Sequence, residues 1–174
     1  MEKKIKLYID MDGCLAEFTL LEKEDMHLLY EEGYFRDLKP QQNVIDGVIL
    51  FIRNYPNIEV AVLSAFLRDS QYALKEKQEW LDKHIPQIDA GHRYFVPCGT
   101  SKAVVTSDEA HDVLLEDHSP NLLDWIRYEK NVGIKLLNGI NGKGQKWKGM
   151  RISKDLSPQE FAKTLYQLVE NSQR

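Results

Sequence analysis

The sequence has few cysteines, no excess of basic residues and no long apolar run, and each of these features excludes a class of protein. The chain of 174 residues contains two cysteines, Cys14 and Cys98, which lie far apart and form no Cys-x-x-Cys pair. We therefore expect neither a disulfide framework nor a zinc site, and we expect a reducing compartment. The formal net charge is −4, which argues against a surface that coats nucleic acid.

The apolar segments are too short to cross a membrane. The longest mostly apolar stretch, around residues 44–52, is interrupted by Asp46, whereas a membrane-spanning helix needs about 20 apolar residues. Residues 1–4 lead directly into a short apolar segment, without the apolar core and cleavage site of a signal peptide. These features predict a cytoplasmic protein that binds neither a membrane nor a nucleic acid polymer.

Strand-like and helix-like segments alternate along the chain. The length favours one domain, residues 1–174, and the hydrophobic content of 43% is ordinary for a globular protein. The apolar patterns predict strands at residues 5–9, 58–63, 94–96, 113–115 and 134–137. Helices are predicted at residues 41–55, at 70–84, from Ser119 at its N-cap to about 130, and from a capping box at Ser157 onward. This alternation predicts an α/β fold, a Rossmann-like, mostly parallel sheet with helices on both faces.

Carboxylates, a hydroxyl and a lysine occur where the predicted strands end. Each of these groups alone is explained by an ordinary turn or by a solvated side chain. In parallel α/β sheets, however, ligands bind at the carboxyl ends of the strands, so we expect the groups to converge. The set consists of Asp10, Asp12, Ser64, Lys102, Glu116 and Asp117.

The charge of this set indicates a cation and a phosphate group. Four carboxylates at one edge of a sheet would repel one another unless a cation joined them. Mg²⁺ takes oxygen ligands, commonly one or two carboxylates together with phosphate oxygens. The Ser64 hydroxyl and the Lys102 ammonium are suited to bind the phosphate. The residues therefore predict a magnesium site for a small phosphorylated molecule.

The order of these residues resembles the four motifs of the haloacid dehalogenase-like (HAD) phosphatase superfamily. Asp10-Met-Asp12-Gly-Cys-Leu-Ala matches the first and most specific motif, and the later motifs follow in order at Ser64, Lys102 and residues 116–117. The aromatic pair and the Asp-Leu-Lys-Pro sequence within residues 33–40 resemble the 5'(3')-deoxyribonucleotidase branch. The resemblance extends from residue 4 to about residue 150.

The resemblance implies a role for each motif residue. Asp10 would be the nucleophile that forms an aspartyl-phosphate, and Asp12 would be the general acid and base. The side chains of Asp10 and Asp117 and the backbone carbonyl of Asp12 would hold Mg²⁺. Ser64 and Lys102 would bind the phosphoryl group. The fourth motif begins with glutamate where the family commonly has aspartate, and we assign the metal to the aspartate that follows it.

The sequence predicts the residues that contact the substrate less clearly than it predicts the residues that carry the reaction. The cap insertion at residues 15–33 is reduced and has room for about one helix. Phe18, Tyr34 and Phe35 could stack on a nucleobase or pin the cap to the core, and the sequence favours neither. The lysine- and glycine-rich segment at residues 138–149 could close over an anionic substrate, but we interpret it as a surface turn.

The sequence thus predicts a magnesium-dependent phosphomonoester hydrolase that acts on a small phosphorylated metabolite, a (deoxy)nucleoside monophosphate. One alternative is a phosphatase for a sugar phosphate or another small metabolite. A more distant alternative is a receiver-like signalling module, which also gathers carboxylates, a hydroxyl and a lysine at strand ends. The order of the residues argues against the receiver, because its phospho-accepting aspartate follows a middle strand, where this chain has Ser64.

Overall fold

A parallel sheet forms the centre of the computed structural model, which describes residues 5–106, 111–128, 130–141 and 146–172. Neighbouring strands are all parallel, in the order β3-β2-β1-β4-β5-β6. The central position of β1 places the residues that follow it between the ends of β2 and β4. The strands are Lys6–Ile9 (β1), Glu59–Phe66 (β2), Arg93–Pro97 (β3), Asp112–Glu116 (β4), Val132–Leu137 (β5) and Met150–Ser153 (β6).

Helical elements cover both faces of this sheet. On one face, Leu7 and Ile9 of β1 pack in a cluster with buried residues of α1, α2 and α4. On the other face, Tyr8 packs with Leu122 and Trp125 of α3. The predicted Rossmann-like α/β fold is confirmed. The α-helices are Gln42–Asn54 (α1), Ala73–His84 (α2), Ser119–Trp125 (α3) and Pro158–Asn171 (α4), and 3₁₀-helices occur at Lys23–Tyr30, Ala90–His92 and Lys102–Val105.

The five predicted strands are present, and the differences lie elsewhere. Strand β6 was not predicted, because Met150–Ser153 contains only two apolar residues. The predicted helix from Ser119 to about residue 130 ends at Trp125, and its N-cap is His118 rather than Ser119. The Ser119 hydroxyl instead accepts a hydrogen bond of 2.7 Å from the Lys135 ammonium. The capping box of Ser157 and Glu160 at the start of α4 is confirmed.

The segment between β1 and α1 forms a small structure above the sheet edge. Its helix, Lys23–Tyr30, is of the 3₁₀ type. Leu29 is buried against Phe35 and Ala73, whereas Leu20 and Met26 are exposed. The segment thus forms a thin cap that packs against α2 through a small apolar cluster. Within the described residues, every helix is too short or too polar to span a bilayer.

Candidate active site

Asp10 lies directly after the central strand, where the sheet itself fixes its position. Its backbone N–H donates a 2.9 Å hydrogen bond to the carbonyl of Leu115 in β4. The chain then turns at Gly13, which has a φ of +82°, a conformation that glycine adopts without strain. The turn closes through hydrogen bonds from Cys14, Leu15 and Ala16 N–H groups to the Met11 carbonyl. Asp10 and Asp12 are therefore held on a tight loop at the carboxyl edge of the sheet.

Lys102 links the first motif to the fourth. Its ammonium lies 2.5 Å from Asp10 Oδ1 and 2.6 Å from Glu116 Oε2, and all three side chains are buried. Burial alone disfavours the charged lysine, but the charges and hydrogen bonds of the two carboxylates outweigh it and raise the pKa of Lys102. The lysine is therefore charged at neutral pH.

Glu116 is saturated with hydrogen-bond donors. Its Oε1 accepts from the backbone N–H groups of Asp117 and His118 at 3.1 Å each. Its Oε2 accepts from Lys102 and from the Asn121 amide at 3.0 Å. Burial would raise the pKa of Glu116, but the charge of Lys102 and these hydrogen bonds lower it. Four donors around one carboxylate leave little of it for a metal ion, which favours Asp117 as the ligand.

Asp10 and Asp117 lie close enough to hold one cation. Ligand atoms of Asp10, Cys14 and Asp117 all lie within 4.8 Å of one another. Burial, followed by the negative charge of Glu116, raises the pKa of Asp10 well above its usual range and that of Asp117 to about 7. Burial and the neighbouring carboxylate thus disfavour the charged form of both groups, and a bound cation would favour it.

The donor set fits Mg²⁺ through its carboxylates. Magnesium prefers carboxylate and other hard oxygen ligands and leaves thiols to softer metals. Burial raises the pKa of the Cys14 thiol well above its usual range, which further disfavours the thiolate that a metal would need. Asp10 and Asp117 are therefore the side chains suited to a magnesium ion here, and Cys14 is a buried neighbour.

Two amide side chains support this loop, and the sequence analysis missed both. The carbonyl of Gly13 accepts hydrogen bonds from Gln41 Nε2 at 2.7 Å and from Asn138 Nδ2 at 2.9 Å. Asn138 Nδ2 also donates to Asp117 Oδ2 at 2.8 Å. Asn138 directly follows β5, so the strand-end reasoning that found Asp10 could have found it too. It orients Asp117 relative to the first motif.

A second buried lysine, Lys77, was also missed. Its ammonium donates to Asp12 Oδ2, to the Ser64 hydroxyl at 3.0 Å and to the Ala65 carbonyl at 2.7 Å. Ser64, which was predicted to bind phosphate, is fully buried. The Lys77 ammonium contacts both Ser64 and Asp12 and so links the two side chains. The sequence did contain a signal for its burial, because Lys77 lies at helical spacing from Ala73 and Trp80, which are also buried.

The three predicted substrate aromatics lie together at the cap. Phe35 is buried in the small cluster, with Phe18 and Tyr34 packed around it. The Tyr34 and Phe35 rings meet edge to face, 5.0 Å apart. The Phe35 ring also lies 4.7 Å from the Lys77 ammonium. All three aromatics contribute to the packing of the cap, and their contact with a nucleobase stays a prediction.

Two cavities open beside the cluster, and Pro120 lines both of them. One, of about 460 Å³, is lined by Lys102 and Asn121, and the other, of about 470 Å³, by Asp117 and Lys135. Both fall in the size range of small-molecule sites. In the segment interpreted as a surface turn, residues 142–145 lie outside the described residues. Trp147, also from that segment, is buried in the core, contrary to a surface turn.

The parallel sheet, with four motifs gathered at one edge, defines a HAD-like phosphatase. A family model described as "5' nucleotidase, deoxy (Pyrimidine), cytosolic type C protein" matches residues 19–141. This is more than half of the chain, and the chain belongs to that family of phosphoric monoester hydrolases. The match includes Ser64, Lys102 and Asp117 but begins after Asp10 and Asp12. No curated protein matches the chain.

We predict that Gly13→Ala destabilises the protein more than Gly99→Ala. Both glycines have a positive φ, but a Cβ at Gly13 would lie less than 3 Å from all three atoms of the Asp117 carboxyl group, whereas one at Gly99 would meet nothing within 4 Å. The left-handed conformation alone costs about 1–2 kcal/mol, so the excess at Gly13 reports the contact with Asp117. Urea denaturation of both variants measures it, and equal losses would contradict the prediction.

Proposed function

We propose that the protein is a magnesium-dependent nucleotidase that hydrolyses deoxyribonucleoside monophosphates through an aspartyl-phosphate on Asp10. The observation that carries the proposal is the buried pairing of Asp10 with Lys102, next to Asp117 at the edge of the sheet. A carboxylate placed there can attack a phosphorus atom, because the neighbouring positive charge offsets the repulsion between the carboxylate and the phosphate. The family match supports the nucleotide as the substrate class.

The reaction would proceed in two steps, each with one proton transfer. In the first step, an Asp10 oxygen bonds to phosphorus as the ester P–O bond breaks, and Asp12 gives its proton to the departing alkoxide. In the second step, Asp12 takes a proton from water, whose oxygen bonds to phosphorus. The acyl phosphate bond then breaks, which releases inorganic phosphate and restores the Asp10 carboxylate.

The side chains around these two aspartates would bind the transferring group. Lys102 neutralises charge on Asp10 and on the phosphoryl oxygens, and the Ser64 hydroxyl donates to one of those oxygens. Asp10, Asp117 and the backbone carbonyl of Asp12 would hold Mg²⁺, which supplies charge neutralisation and orients the phosphate when bound. Asn138 keeps Asp117 turned toward the first motif through its 2.8 Å hydrogen bond.

The leaving nucleoside would lie between the cap and the sheet edge. Phe18 and Tyr34 are half-buried there, so part of each ring is accessible to a base, and aromatic rings hold bases by stacking. Phe35 would support these rings from behind, because it is buried beneath the cap.

A panel of phosphate monoesters tests the proposed substrate class. With Mg²⁺ present, deoxyribonucleoside 5'- and 3'-monophosphates should have a higher kcat/KM than sugar phosphates, measured by phosphate release. The reason is that the aromatic side chains of the cap offer stacking to a base and nothing comparable to a sugar. Faster turnover of sugar phosphates would assign the protein to the alternative class of small-metabolite phosphatases.

Asp10→Asn should lower kcat by about 1,000-fold or more, because an amide cannot attack phosphorus as a carboxylate does. The variant keeps the shape of the side chain, so circular dichroism should show a folded protein. Asp155→Asn is the control, since that side chain is 82% exposed and lies outside the site. Near-normal hydrolysis by pure Asp10→Asn protein would rule out the proposed nucleophile.

Asp117→Asn and Glu116→Gln should separate the metal ligand from its neighbour. Loss of a ligand carboxylate should raise the Mg²⁺ concentration for half-maximal activity by about 10-fold or more. Glu116→Gln should instead lower the free energy of unfolding, by about 3 kcal/mol or more, because it leaves the buried Lys102 with a weaker partner. Magnesium titrations of activity and denaturant unfolding measure the two effects. A larger magnesium shift in Glu116→Gln would transfer the ligand role to Glu116.

A further inference from the structure

Lys77 is a buried lysine whose ammonium contacts the carboxyl ends of two strands. It lies on α2, and its side chain is 1% exposed. A buried ammonium is costly unless it is paired and hydrogen-bonded, and all three of its partners lie at the carboxyl ends of strands: Asp12 after β1, and Ser64 and Ala65 in β2. The lysine thus directs its charge into the active site rather than toward solvent.

The two oxygens of Asp12 have different surroundings. Oδ2 accepts from Lys77, whereas Oδ1 is buried and has no hydrogen-bond partner among the described residues. The hydrogen bond to Oδ2 restrains the rotation of the carboxylate, and Oδ1 is left without a hydrogen-bond partner among the described residues. General acid–base catalysis depends on a restrained carboxyl group, because the proton must move along one defined direction.

The residue before Lys77 connects the same helix to the cap. Glu76 is buried, and its carboxylate accepts hydrogen bonds from the backbone N–H groups of Gly33 at 2.5 Å, Phe35 at 3.1 Å and Arg36 at 3.3 Å. The Phe35 ring held there covers the Lys77 ammonium at 4.7 Å. The cap is therefore fastened to the helix that carries the lysine, and the Phe35 ring covers the ammonium that contacts Asp12.

We propose that Lys77 is a positioning residue that fixes the rotation of the Asp12 carboxylate for proton transfer. The proposal rests on the proposed function, in which Asp12 is the general acid and base. Lys102 has a different task, because it pairs with the nucleophile Asp10 and with Glu116. Each aspartate of the first motif thus has its own buried lysine partner.

The first test replaces Lys77 with methionine, which keeps the apolar stem and removes the ammonium. We expect kcat to fall by about 10- to 100-fold, the scale of a misplaced catalytic group, while KM changes by less than about 3-fold. Lys75→Met is the matched control, since it lies on the same helix with a side chain that is 78% exposed, and it should retain normal kcat. Unchanged kcat in folded Lys77→Met protein would overturn the proposal.

A double-mutant cycle with Asp12→Asn identifies the route by which Lys77 acts. If the lysine works through Asp12, Lys77→Met should lower kcat by less than about 3-fold when Asp12 is already asparagine. If it binds the phosphoryl group directly, the two losses should multiply and KM should rise, which would overturn the positioning role. The loss in Lys77→Met should also be smaller for p-nitrophenyl phosphate than for an alkyl phosphate, because the aryl leaving group needs little protonation.

Two further measurements distinguish a loss of folding from a loss of activity. Thermal unfolding of each variant shows whether it folds, and Lys77→Leu replaces Lys77→Met if the latter does not, since it also removes the donor and supplies an apolar side chain for the buried space. Wild-type protein is assayed first on the phosphate monoester panel together with Asp10→Asn. An inactive wild type would refute the proposed function, whereas an active wild type with multiplicative losses in the cycle would refute the role of Lys77 alone.

Discussion

The buried ammonium of Lys102, held between Asp10 and Glu116, is the interaction on which the site depends. The two carboxylates come from the ends of adjacent parallel strands, where they would repel each other in a medium that screens charge poorly. The lysine joins them at 2.5 and 2.6 Å and brings the loop after β3 into the same cluster. Removal of the lysine would leave two buried carboxylates without a positive partner, so the arrangement of the site depends on it.

Charge balance also explains the division of labour among the acidic groups. Glu116 is occupied by four donors, which leaves Asp117 to complete the pair with Asp10. Asp12 has its own lysine. Each carboxylate thus has distinct partners, and groups of similar chemistry acquire different properties through their surroundings alone. The membership of the chain in a nucleotidase family agrees with a site organised in this way.

The rule that ligands bind at the carboxyl ends of parallel strands predicted much of this site, but it missed the residues that lie on a helix. Asp10, Ser64 and Asp117 were found because parallel strands deliver their last residues to one edge. Glu76 and Lys77 were missed because they lie on a helix, where charged residues are usually solvated and seldom buried. Strand β6 was missed because it is short and only half apolar. Local patterns thus predict where backbone elements end, but the burial of a charge depends on partners far away in the chain.

The Gly13 carbonyl accepts hydrogen bonds from Gln41 and Asn138, which lie 28 and 125 positions further along the chain. These bonds tie the loop of Asp10 and Asp12 to distant segments. A nascent or partly folded chain can contain the first aspartates long before β5 exists to provide the second of these amides. Contacts of such long range form late and slow the folding of a domain. The ability to handle phosphate esters would therefore arise only once the sheet is assembled, and incompletely folded molecules would carry the reactive carboxylate without the surroundings that make it useful.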